Sequence, residues 1–94
     1  MPYMIYCLDK PGHAHVRADN RAAHLDYLTS PTWAPKIISA GPLLTDDGSG
    51  MVGSLILMDL KDRSEADAFL AGDPYGKAGL FASVSVRPWK KVLP

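Results

Sequence analysis

Residues 36–60 read KIISAGPLLTDDGSGMVGSLILMDL, two apolar runs around a polar, glycine-rich centre. The run from Lys36 to Leu44 predicts one strand and the run from Met51 to Leu60 predicts another. Between them, Thr45-Asp46-Asp47-Gly48-Ser49-Gly50 predicts a hairpin loop, because Asp and Gly tolerate the left-handed backbone such loops need. Pro42 has no amide hydrogen, so its strand belongs at a sheet edge or ends in a bulge.

Upstream, Tyr3-Met4-Ile5-Tyr6-Cys7-Leu8 is a continuous apolar run stopped by Asp9-Lys10-Pro11-Gly12. It predicts a first strand, buried on both faces. After a loop through His15, Val16 to Leu28 predicts a helix free of Gly and Pro. Arg21, His24, Leu25 and Leu28 share one side of it. Ser30-Pro31 ends that helix, and Trp33 and Pro35 fall in an irregular connection.

Downstream, Ser64-Glu65-Ala66-Asp67 has the form of a helix start with Ser64 as cap. Ala66, Phe69 and Leu70 give this helix an apolar stripe, and Gly72 ends it. Asp73 to Gly79 predicts a turn, and Leu80 to Lys90 a fourth strand.

The order is therefore β-α-β-β-α-β. Right-handed crossovers make it a ferredoxin-like α+β fold with a four-stranded antiparallel sheet. At 94 residues the chain is one domain, 1–94. Both helices cover the same sheet face, yet the first and third strands are apolar on both sides: Met4, Tyr6 and Leu8 oppose Tyr3, Ile5 and Cys7, and Leu55 and Leu57 oppose Ile56, Met58 and Leu60. In the fourth strand Val84 and Val86 face one way; Phe81, Ser83, Ser85, Arg87 and Trp89 face the other. A bare apolar face of that size calls for a cover, and a second copy packed by twofold symmetry is the simplest one. A homodimer through the sheet face is expected. A heterologous partner or the C-terminal tail is the competing cover.

Composition narrows the function. Lys and Arg number 10, Asp and Glu 10, for a formal net charge of +0, which argues against a nucleic-acid partner. The opening apolar run is too short to span a membrane, and no secretory leader pattern is present, so a cytoplasmic location is expected. Cys7 is the single cysteine and reads as a small buried hydrophobe. His13 and His15 make an incomplete metal site, and Asp46-Asp47-Gly48 matches only a fragment of a calcium loop, so no metal is expected. No phosphate-binding glycine pattern and no Gly-x-Ser-x-Gly occurs.

His24 has two readings: a general acid/base beside the buried stripe, or a core-edge histidine satisfied by a neighbour. Topology brings helix 1 and the segment 72–76 to the same end of the sheet, so Asp73 is expected near His24. A carboxylate there orients the imidazole and raises its basicity. Asp73 before Pro74 also reads as a plain helix cap. Arg21, one turn before His24, suits a substrate carboxylate or phenolate, or is a solvated charge.

Several stretches resemble the YCII-related family of dimeric α+β barrel proteins: residues 21–28, Ala40-Gly41-Pro42-Leu43 with Asp46-Asp47-Gly48, Gly53-Ser54-Leu55, residues 73–80, and Val86-Arg87-Pro88-Trp89. The resemblance covers nearly the whole chain in order. It implies a dimer with a pocket holding a histidine on helix 1, here His24, and an aspartate in the Asp-Pro segment, here Asp73. Some relatives act on small chlorinated or hydroxylated aromatic compounds, eliminating chloride by acid/base catalysis, and no metal or organic cofactor is needed for such chemistry. The leading expectation is thus a lyase or isomerase in which His24 moves a proton and Asp73 orients it, with Arg21 or Ser54 contacting the substrate. The alternative is a non-catalytic ligand-binding or accessory dimeric module. Pro31-Thr32-Trp33-Ala34-Pro35 is bulkier than the family pattern and is expected to reshape the pocket or the dimer contact.

Overall fold

The central hairpin forms where its apolar runs place it. In the computed structural model, which describes every residue from Met1 to Pro94, β2 (Ile37–Leu44) and β3 (Met51–Asp59) pair antiparallel. Around them lie β1 (Pro2–Asp9), α1 (Ala14–Leu28), α2 (Arg63–Gly72), a single-turn α3 (Pro74–Lys77) and β4 (Phe81–Pro88). The sheet order is β2-β3-β1-β4 with every neighbour antiparallel. β2 is thus an edge strand, which accommodates Pro42, and its register shifts just after, between Leu43 and Leu44.

The helix starts differ from the sequence reading for local reasons. Gly12, at φ 71, makes the turn after β1, and nothing beyond it opposes helix, so α1 begins at Ala14 rather than Val16. α2 is capped by Asp62, not Ser64. The Asp62 Oδ1 accepts the Glu65 amide at 3.0 Å, and Ser64 donates its hydroxyl to that same oxygen at 2.7 Å. A carboxylate at N-cap suits the helix dipole, so the serine becomes its accessory.

Both long helices pack on one side of the sheet. Ile5, Cys7, Ile56 and Met58 rise from the strands to meet Leu28 of α1 and Ala66 and Phe69 of α2. Trp33 seals the lower edge, its ring edge-on to Phe69 at 5.1 Å. The opposite side of the sheet has no cover in a single chain. Tyr6 and Leu8 are each 37 % exposed there, so β1 is buried on one face only. β4 also departs from simple alternation. A register shift at Leu8/Asp9 pairs Phe81 with Asp9, turning Phe81 to the helix side, where its ring meets Tyr75 edge-on. No helix is long and apolar enough to cross a membrane.

Candidate active site

Arg17, Arg21, His24 and Leu28 recur every three to four residues along α1, which puts them on one face. That face looks onto a cavity of about 140 Å³ between α1, the Ala40–Pro42 stretch of β2, Ser54 and Ile56 of β3, and Tyr75 of α3. His24, Arg21 and Ser54, singled out in the sequence, all line it. None of residues 31–35 does: Trp33 packs into the core instead, so the bulky connection does not shape this cavity.

Asp73 sits directly behind the histidine. The His24 Nδ1–H donates to the Asp73 Oδ1 at 2.8 Å, with both residues buried. The same Oδ1 accepts the Tyr75 amide at 3.0 Å and so caps α3. Capping and orienting are therefore one arrangement rather than alternatives: a single oxygen does both. The Oδ2 is buried without a partner. A carboxylate on Nδ1 fixes the tautomer and leaves Nε2 with its lone pair on a residue that lines the cavity.

Tyr75 completes the frame. Its ring stacks on the His24 imidazole, centroids 3.9 Å apart and planes 13° from parallel. Burial pushes the Tyr75 phenol above its usual range, although the Arg17 and Arg21 charges pull it down. It therefore stays a protonated hydrogen-bond donor at neutral pH.

Arg17 escaped the sequence reading and is the most connected residue here. Its Nε and Nη2 grip both oxygens of Asp9 at 2.7 and 2.8 Å, and Nη2 also donates to the Ser54 Oγ at 3.0 Å. The guanidinium lies 4.7 Å from the Tyr75 ring centroid. Burial works against its charge, but the Asp9 hydrogen bonding and charge, together with Tyr75, outweigh that, and its pKa is raised. The spacing offered one clue, since Arg17 is one turn before Arg21. Its partner Asp9 looked like part of a turn.

The other candidates do not assemble. No group of three His, Cys, Asp or Glu side chains is placed to hold a metal ion. The Asp47 Oδ1 is occupied by the Thr45 hydroxyl and by the Ser49 amide and hydroxyl, which lower its pKa to about 2 and tie the hairpin loop together. Burial pushes the Cys7 thiol up to about 12, so it is no nucleophile.

A model of the YCII-related domain matches residues 1–90 of the chain. Protein YciI of Escherichia coli O6:H1 is 34% identical over 98 residues, spanning 99% of this chain and 100% of the relative. Among solved structures, a 5-chloro-2-hydroxyhydroquinone dehydrochlorinase from Burkholderia phenoliruptrix AC1100, in complex with 2,5-dihydroxybenzoquinone, superposes with a TM-score of 0.86 at 41% identity, over 96% of this chain and 94% of that one. Rv0793 from Mycobacterium tuberculosis shares the fold alone, with a TM-score of 0.55 at 15% identity over 98% of this chain and 97% of its own.

Proposed function

The chain belongs to the YCII-related family, and from that premise we propose that it is a small enzyme of lyase or isomerase type acting on a single-ring aromatic molecule. One observation carries the reading: a buried carboxylate holds by Nδ1 a histidine, His24, that lines a cavity. His24 acts as the base that removes a proton from the bound ring and returns one where the product needs it. Asp73 orients the imidazole and stabilises its charged form. Ser54 and Arg21 contact the substrate, and Arg17 holds Ser54 in place. In an elimination from a hydroxylated ring, the base takes hydroxyl protons, a proton is added at the carbon bearing the leaving group, and the O–H electron pairs become carbonyls as the leaving anion departs, so electrons balance without a redox partner. The likeness to a dehydrochlorinase at 41% identity supports this chemistry, and the cavity volume is close to the roughly 150 Å³ that holds one benzene ring.

The same reading makes the protein a cytoplasmic homodimer. Met4, Tyr6, Leu8, Leu55 and Leu57 form the uncovered side of the sheet, and a second copy laid on it shields that area.

The test is chloride release from 5-chloro-2-hydroxyhydroquinone and related halogenated phenols by the parent chain and by His24→Gln. The expected result is a loss of about 10²-fold or more in the variant with fold retained. Turnover by His24→Gln at the parental rate refutes the role. Binding of these phenols without turnover by the parent favours a ligand-binding module.

A further inference from the structure

The cavity wall carries two arginines and no carboxylate. Their charges are not equivalent. Arg17 is neutralised by Asp9 in a two-point ion pair that is almost sealed from solvent. Arg21 is exposed and has no acidic partner. Asp73, the carboxylate behind His24, is 1% exposed, and its hydrogen-bonded oxygen already serves His24 and the Tyr75 amide. The wall therefore presents one uncompensated positive charge, set one helical turn from the histidine. Leu25, Leu28, Pro42, Met51 and Ile56 make much of the remaining surface apolar.

We infer that the cavity selects its ligand as a flat organic monoanion, with one charged oxygen (carboxylate, enolate or phenolate) against Arg21 and its ring on the apolar wall beside His24. Charge-assisted hydrogen bonds are about twice as strong as neutral ones, which gives a neutral isostere a clear disadvantage. Ser54 and Tyr75 add neutral donors, and the fixed Arg17 keeps Ser54 from turning away. The inference rests on the proposed function for the ring's place beside His24, and on Arg21 alone for the charge.

Benzoate and benzamide share a shape and differ in charge, so calorimetric titration with each tests it. Benzoate is expected to bind at least about tenfold tighter, a difference of about 1.4 kcal/mol, with the gap narrowing as salt is raised. Arg21→Gln removes the gap while benzamide binding persists, and Arg21→Lys restores most of it. The His24→Gln variant keeps the preference, so a failed acid/base role and a failed anion preference are read separately. Equal affinities, no benzoate binding at tens of millimolar, or a gap that survives Arg21→Gln overturns the inference.

Discussion

His24 lies flat on Tyr75, 3.9 Å between ring centroids, while Asp73, two residues before the tyrosine, grips the same imidazole by its edge. One short segment thus fixes both the tilt and the rotation of the ring. Arg17, over Tyr75 and locked to Asp9, backs that segment from the β1 side.

Replacing Tyr75 separates stacking from the phenol. Tyr75→Phe keeps the stack and is expected to unfold in urea within about 1 kcal/mol of the parent. Tyr75→Leu forfeits the ring–ring contribution of about 0.5–1.5 kcal/mol and frees the imidazole to tilt. The check is twofold: urea midpoints, and the ring-current shift on the His24 protons, which vanishes only in the leucine variant.

Asp73→Asn retains an oxygen able to accept from both His24 and the Tyr75 amide, and the oxygen it replaces has no partner. Stability is expected to change by about 1 kcal/mol or less. Turnover is expected to fall by about 10²- to 10⁴-fold, because the charge that steadies the imidazolium is gone. A purely capping aspartate leaves the rate unchanged, so steady-state kinetics decides.

Arg17→Met strands Asp9 as a buried, unpaired charge. The expected loss is about 3–5 kcal/mol in urea denaturation. Adding Asp9→Leu removes the stranded charge and recovers much of that loss. A double variant no more stable than the single one contradicts the account.

Cys7, like the phenols of Tyr27 and Tyr75, works against stability at alkaline pH. Its thiol moves from 9.0 to about 12 on folding, so the folded state holds the proton more tightly. Below pH 9 the thiol is neutral in both states and adds no pH dependence. Between pH 9 and 12 the unfolded chain ionises while the folded one does not, and stability falls as pH rises. Cys7→Ala flattens that limb of a stability–pH curve, and native Cys7 resists iodoacetamide at pH 8.

Leu57→Lys puts a charge in the middle of the uncovered sheet face. Light scattering is expected to report a dimer for the parent and a monomer for the variant, with far-UV circular dichroism preserved.

The succession of strands and helices and the His24–Asp73 approach were legible because they follow from periodicity and topology alone. Asp73 had to lie near α1 once two helices shared a face. Arg17 was not legible, since a mid-helix arginine ordinarily faces water; only the fold shows Asp9 and Ser54 converging on it. Phe81 was misplaced for a similar reason: the bulge at Leu8/Asp9 is a property of the strand pair, and alternation within one strand does not reveal it. Ser64 lost the capping role to Asp62, two positions earlier, because a carboxylate outcompetes a hydroxyl for amide hydrogens at a helix start.

Pro42 on the outermost β2 has a consequence for how copies of the chain avoid one another. An incoming strand finds no N–H at that position and a shifted register just beyond it, so side-by-side pairing along this edge is disfavoured. The far rim, β4, closes on Pro88 and is guarded likewise. For a molecule this rich in apolar strand, a proline on each rim works against endless strand-on-strand ribbons.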